Sequence, residues 1–322
     1  MVRFAIMGLG YIASRVAQGI QYAKNAQLYA VASRDIKKAN SFKEQFHAQV
    51  AYGSYQEMLE DDKVDIVYIC TPNHLHYSQI KLCFSYHKHV ICEKPMVRSI
   101  QELDELYQLS LLSDCILLEA HKTCFTPLNQ EIYKRLKSGQ YGHILSIEAD
   151  YSYDCKDQYD NNSWAMHPEY GGSSYDVGVY PVCFCNFMAD SQIQNVNAYP
   201  VLFENQKADY GMMTMIQYKN GVIAQANCSW LYYTKNKGMA RIVTTRGTIE
   251  IDAFWKGTKA RIDMNGIKEE CEVEMDSDFT GEVEEACSCV IGHCQSSILS
   301  YHASKEILKV IEAVNSYRLK GN

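Results

Sequence analysis

The chain has 322 residues, 47% of them apolar, and a formal net charge of −7; that length exceeds one ordinary compact core and points to two domains. No block of lysine or arginine interrupts this mildly acidic composition, which argues against a nucleic-acid backbone or an anionic membrane surface as partner. The apolar start is broken by Gly8 and Gly10 and carries no cleavage-site pattern, and no stretch reaches the roughly 18 to 20 apolar residues of a spanning helix. A soluble protein is expected. Thirteen cysteines are scattered through apolar runs such as 67–70 and 90–92, the pattern of reduced thiols in a cytoplasmic protein. The densest group, Cys287, Cys289, His293 and Cys294, matches no familiar zinc spacing and is flanked by helical sequence. Buried or half-buried thiols are expected there, and no metal.

Along the first 120 residues, short apolar runs alternate with amphipathic ones. Strands are expected at 4–8, 28–33, 66–70, 89–93 and 116–120, and helices at 12–23, 37–47, 77–86 and 100–113. Such alternation implies an α/β domain with a doubly wound parallel sheet. The rhythm changes near His121, giving an expected first domain over 1–121 and a second over 122–322. The second part carries longer, consecutive strand candidates at 144–153, 193–203, 210–218, 222–230, 239–245, 248–252 and 259–264. Turn signals at Lys219-Asn220-Gly221 and Thr245-Arg246-Gly247 favour hairpins, hence an α+β domain with one large, mostly antiparallel sheet and helices on one face. Those helices are expected at 127–138, 175–188 and 300–319.

Gly8-Leu9-Gly10-Tyr11-Ile12-Ala13 follows the first strand and opens a helix. In that context G-x-G-x-x-G/A allows a tight turn, close backbone approach and a pyrophosphate at the helix N-terminus. By itself the motif is also compatible with an ordinary strand-to-helix turn. The second strand ends Ala32-Ser33-Arg34, without the acidic residue that would bind the adenosine ribose of NAD. A hydroxyl followed by a guanidinium suits a 2′-phosphate, and Lys37 or Lys38 adds charge at the next helix start. NADP is therefore favoured, with NAD the alternative because Asp35 lies just beyond the usual acidic position. Further on stand Thr71-Pro72-Asn73-His74-Leu75-His76 and Glu93-Lys94-Pro95, each directly after a strand candidate. Gly171-Gly172-Ser173-Ser174 leads into Asp176 and Tyr180, which stand four apart and share one helix face. A buried structural pair, with Asp176 at a helix start, is the competing reading.

In order and separation, the glycine turn, Thr71-Pro72-Asn73 with His76, and Glu93-Lys94-Pro95 resemble the signatures of the glucose-fructose oxidoreductase, inositol dehydrogenase and MocA (Gfo/Idh/MocA) family. Tyr180, where many relatives have histidine, together with Glu119-Ala120 and Phe125-x-Pro127, is similar to the dimeric dihydrodiol dehydrogenase and D-xylose dehydrogenase branch. The resemblance implies that Gly8, Gly10, Tyr11, Ile12, Ser33, Arg34, Lys38, Thr71, Pro72, Asn73, His76, Glu93 and Lys94 contact the cofactor. It implies a polyhydroxylated small-molecule substrate near Trp164, Asp176 and Tyr180, with Lys122 and His167 at the pocket rim, and a homodimer built on the second-domain sheet. Three departures alter the substrate side: Cys124 where arginine is common, Trp164-Ala165 where tryptophan-arginine is common, and Gly171-Gly172-Ser173 in the glycine stretch.

The resulting expectation is hydride transfer between nicotinamide and the carbinol carbon of a sugar, polyol or dihydrodiol. Tyr180 exchanges the hydroxyl proton, Lys94 stabilises the phenolate, and Asp176 orients the substrate hydroxyl or Lys94. Alternatives on the same fold are NAD-dependent inositol-type oxidation and a non-catalytic NADP-sensing regulator; Lys94, Asp176 and Tyr180 favour an enzyme over the sensor.

Overall fold

The computed structural model describes residues 1–155, 163–202, 208–233 and 237–318. By packing, the chain divides into two compact units, Met1–Phe125 with Asp276–Tyr301, and Thr126–Met275 with His302–Asn322. In the first unit the order is β1 (Val2–Met7), α1 (Tyr11–Tyr22), β2 (Ala26–Ala32), α2 (Ile36–Phe46), β3 (Val50–Tyr52), α3 (Tyr55–Leu59), β4 (Ile66–Ile69), α4 (His76–Ser85), β5 (His89–Glu93), α5 (Ile100–Leu112) and β6 (Leu117–Ala120). The strands form one parallel sheet in the order β3-β2-β1-β4-β5-β6. Near-continuous burial of β1 and β4 follows from helices covering both faces. The order reverses between β1 and β4, which opens the crevice at the strand ends where such sheets bind dinucleotides. The short elements β3 and α3 were not anticipated, because three and five residues are too few to display a period.

The second unit contributes α6 (Pro127–Lys137), β7 (Ile144–Ser152), α7 (Val179–Ala189), β8 (Ile193–Val201), β9 (Gly211–Tyr218), β10 (Ile223–Ser229), β11 (Gly238–Thr244), β12 (Gly247–Asp252), β13 (Lys259–Met264) and β14 (Ile267–Glu272). These strands make a single sheet, β14-β13-β12-β11-β7-β10-β9-β8, antiparallel except for the pair β7 and β10. Strand β9 shows why one face is covered: Met212, Thr214, Ile216 and Tyr218 are buried, while Met213 and Met215 point outward. Helix α7 packs on β7 and β10 and is apolar almost all round.

Two late helices complete the units. Helix α8 (Thr280–Gly292) returns to the first sheet, although the sequence reading placed all of 122–322 in the second domain. The reason is packing between α8 and α1: a Cβ on Gly19 would lie 2.6 Å from Cβ of Phe279, so α1 offers a flat, side-chain-free seat for the buried Phe279. Helix α9 (Tyr301–Arg318) belongs mainly to the second unit and buries Ile307, Val310, Ile311 and Val314 along one stripe. All thirteen cysteines are thiols, and among them only Cys294 is exposed. Among the described residues, no helix is long and apolar enough to cross a membrane, and no group of three or more His, Cys, Asp or Glu could hold a metal ion.

Candidate active site

The turn after β1 is shaped by a backbone conformation and a close approach. Gly8 has φ +89°, and a Cβ there would stand 2.7 Å from Cγ2 of Thr71 in the turn after β4. Gly10 caps α1 without any side-chain hydrogen bond, and a Cβ on Gly10 would meet nothing within 4 Å. The first amides of α1 are thus left to an incoming group, over open space, which is the cradle a pyrophosphate needs. Tyr11 stands exposed beside it.

At the end of β2, the carboxylate of Asp35 accepts from the amides of Lys37 (2.9 Å) and Lys38 (3.3 Å) and so caps α2. The position that complicated cofactor choice is therefore engaged as a helix cap. Ser33 Oγ accepts from the Asp35 amide at 3.2 Å, and Arg34 is exposed.

The turns after β4 and β5 are joined by His76. Its Nε2 lies 2.7 Å from the Thr71 carbonyl and its Nδ1 3.0 Å from the Pro95 carbonyl, with the ring fully buried. Burial pulls its pKa below the ordinary value, so the ring is neutral near pH 7 and donates to one of the two carbonyls. Both nitrogens of His76, a residue expected at the cofactor, face backbone, and the ring ties the two loops together. Thr71 is fixed further by a hydrogen bond from its hydroxyl to Gln79 at 2.5 Å, and Asn73 is buried beside it.

Glu93 ends β5 and is buried, with half-buried Lys94 next to it in the chain. The phenolic oxygen of Tyr68, from the centre of β4, lies 3.2 Å from Glu93 Oε1 and 2.6 Å from Glu282 Oε1 on α8. One hydroxyl proton can serve only one of these contacts, so the other requires a proton on a carboxyl group. Burial raises the pKa of both acids. The nearby Glu93 charge adds to the rise at Glu282, and Lys94 and then Lys122 oppose the rise at Glu93. Oε2 of Glu282 has no hydrogen-bond partner, as expected if this acid is the one held neutral.

Lys122, expected at the pocket rim, sits against α8 and its leading turn. It is buried, with its ammonium 2.5 Å from Asp278 and 4.6 Å from the Phe279 ring centre, and Arg15 shares the same carboxylate. An isolated buried ammonium would be far too costly, and Asp278 supplies the compensating charge.

In the second unit, Asp176 and Tyr180 are both half-buried. The helix expected from Tyr175 begins as one π-helical turn, Ser174–Gly178, before α7 takes over. Such widened turns recur at functional sites. The Tyr180 ring meets Tyr151 edge-on at 5.6 Å, and Tyr151 stacks on Trp255 at 3.7 Å, so an aromatic pile fixes the phenol's direction. Trp164 is 41% exposed on a short turn capped by Ser163, and the His167 ring stacks on Tyr170 at 3.6 Å.

Residues 2–121 match the oxidoreductase family GFO_IDH_MocA, NAD-binding Rossmann fold, and residues 129–250 match the GFO/IDH/MocA C-terminal domain. The chain belongs to the GFO/IDH/MocA oxidoreductase family. Among its relatives, trans-1,2-dihydrobenzene-1,2-diol dehydrogenase of Mus musculus is 28% identical over 272 residues, 84% of this chain and 79% of that protein. scyllo-Inositol 2-dehydrogenase (NADP(+)) of Bacillus subtilis is 35% identical over 185 residues, 56% of each chain. In fold, the chain is similar to the crystal structure of an aldose-aldose oxidoreductase from Caulobacter crescentus complexed with glycerol. That likeness has a TM-score of 0.89 at 20% identity and covers 100% of this chain and 98% of the other.

Within this GFO/IDH/MocA oxidoreductase, the uncapped start of α1, the open space over Gly10 and the turn at Gly8 fit a nicotinamide dinucleotide. Sequence reasoning missed Tyr68 and Glu282, which support Glu93 from behind. The signal was present for Glu282: it falls on the buried stripe of α8 with Val283, Ala286 and Cys287, where a carboxylate is unexpected. A group whose pKa is raised by folding stabilises fully below its unfolded pKa and loses that contribution as pH rises through the folded one. Glu282→Gln removes this titration, so its melting temperature should gain on the wild type as pH rises from about 4, the unfolded Glu range, towards 8. A pH-independent difference in thermal denaturation would contradict a neutral Glu282.

Proposed function

We propose that this oxidoreductase catalyses NADP(H)-dependent hydride transfer at the carbinol carbon of a sugar, polyol or dihydrodiol-like substrate. The observation that carries this reading is the gathering of the turns after β1, β4 and β5 at one edge of the first sheet, with Lys94 on the last of them. Support for the substrate class comes from the names of the mouse and Bacillus relatives. NADP over NAD is supported by the capping role of Asp35, which leaves Ser33 and exposed Arg34 to meet a 2′-phosphate, with Lys38 on the following turn.

Bound nicotinamide supplies the carbon that accepts or gives the hydride. Gly8, Gly10, Tyr11 and Ile12 present backbone to the pyrophosphate, Thr71, Pro72 and Asn73 flank the nicotinamide side, and Glu93 meets a ribose. Tyr180 takes the substrate hydroxyl proton in oxidation and returns it in reduction. A phenol titrates near pH 10 in water, and the Lys94 ammonium lowers the cost of its anion. Asp176 orients the substrate hydroxyl or Lys94, and Trp164 and His167 bound the substrate. A homodimer is supported by the apolar side chains of Tyr199, Met213, Met215 and Ile223, which are exposed together on one face of the second sheet.

Calorimetry with both cofactors tests the nucleotide: NADP should bind more tightly, and Arg34→Ala should weaken NADP selectively by roughly 10- to 150-fold, the value of a charge-assisted contact of about 1.5 to 3 kcal/mol. Equal wild-type affinities would refute the assignment. For chemistry, a panel of D-xylose and other aldoses, inositols and trans-dihydrodiols should yield turnover that Lys94→Met or Tyr180→Phe lowers by roughly 100- to 10,000-fold. Cofactor affinity should persist, and the double variant should be little worse than either single one. Tight NADP binding without any turnover would favour the sensor. Sedimentation should give twice the chain mass, reduced to one by Met213→Glu; a wild-type monomer at micromolar concentration would exclude the dimer.

A further inference from the structure

The turn that carries Asp176 and Tyr180 is gripped by two residues that no motif marks. Asp209, fully buried, accepts from the Ser173 hydroxyl, the Ser174 amide and the Ser174 hydroxyl, each at 2.8 Å, while its own carbonyl accepts from the Ser173 amide. Gly172 lies against this carboxylate with φ +111°; a Cβ there would stand 2.3 Å from Oδ1. Arg318, the last described residue of α9, places Nη1 3.1 Å from Asp209 Oδ1, with both side chains buried. Its guanidinium also donates to the carbonyls of Gly171 (3.1 Å) and Pro168 (2.6 Å) and to Asn315 Oδ1 (3.2 Å). One turn earlier on α9, Asn315 donates to the Tyr175 hydroxyl at 2.7 Å.

We propose that the buried Arg318–Asp209 pair is a positioning device for the reaction, a latch through which the end of α9 fixes the course of 171–180. This rests on the reading of Asp176 and Tyr180 as reacting groups. Three observations favour positioning over general stability. The donors and acceptors it satisfies are concentrated on the turn before Asp176, although a buried ion pair is a poor way to stabilise a core. The turn it holds is a π-helical one, a conformation that persists only where its surroundings impose it. The Asp176 amide donates to the Gly172 carbonyl at 3.2 Å, so the clamp on Gly171 and Gly172 reaches the acidic residue through a single hydrogen bond.

The test uses the full chain with Arg318→Met, Asp209→Asn and Arg318→Lys, the latter two covering the case in which the first fails to fold. Amide hydrogen exchange over 171–180 should accelerate by at least about ten-fold, with β9 and β10 unchanged, since a loosened latch opens locally. Wild-type exchange there would overturn the proposal. On the best substrate of the panel, kcat should fall by roughly 10- to 100-fold, as displacement of a reacting group by about 1 Å does. KM for NADP should stay within about two-fold, and Arg318→Lys should recover part of kcat. A lowered melting temperature with unchanged kcat would make the pair merely structural and would also overturn it. If the wild type turns over nothing in the panel, the proposed reaction has failed and the exchange measurement alone decides the latch.

Discussion

A side chain at Gly8 would collide with Thr71, and the first unit's site depends on that close approach. Strands β1 and β4 are neighbours at the point where sheet order reverses, so the turns after them leave the same edge side by side. With a Cβ at position 8 the two turns would have to separate, and the start of α1 would swing away from the crevice. With glycine they stay in contact, and further fixed points follow from Thr71. Its carbonyl faces His76, whose other nitrogen faces Pro95, and Pro95 follows Glu93 and Lys94 directly. Three segments remote in sequence are thereby held in one geometry, as a binding or catalytic site needs.

Charge in the interior of that unit is divided into two groups. Asp278 takes up Lys122 and Arg15, a carboxylate set against two cations. Glu93 and Glu282 meet instead across a tyrosine hydroxyl, and burial of two acids favours a shared proton over two negative charges. The charge that most opposes the rise in the Glu93 pKa is that of adjacent Lys94. Lys94 therefore works within an acidic setting that itself titrates, and substitution of Glu282 bears on Glu93 without touching any group at the mouth of the site.

The first unit was legible because parallel strands buried on both faces read as short apolar runs, and because the glycine turn fixes where the first helix starts. Strand β14 was not: of Ile267–Glu272 only Cys271 is buried, and a charged edge strand shows no alternation. The return of α8 was equally hidden, since it follows from the fit of Phe279 against Gly19 and not from any boundary signal. At the site, the motifs named the loops but not their supports. The motif around His76 marks the loop, and only its two carbonyl neighbours show that the ring also ties two loops together. Lys122 likewise looked available as a cation until Asp278, more than 150 residues later, was seen beside it. The π-helical turn at Ser174–Gly178 has no sequence signature of its own, and the carboxylate that grips its start, Asp209, comes from a segment remote in sequence.

The supports share a pattern that links late sequence to early function. Glu282 and Arg318 each lie on the apolar stripe of a late helix, α8 in the first unit and α9 in the second. Each bears on a segment that a motif marks, Glu282 on Glu93 through the Tyr68 hydroxyl and Arg318 directly on the Gly171 carbonyl. The departures from the family pattern take on physical meaning beside these supports. Ala165 is fully buried; its carbonyl accepts from the Gly172 amide at 2.7 Å and would lie 2.4 Å from a Cβ on Gly171. An arginine side chain at 165 would have to displace this packing. Cys124 is buried as completely. Two positions where guanidinium groups are common in the branch are thus filled by small uncharged side chains within close-packed structure. Each position is thereby closed to a long charged side chain by the packing of its own unit.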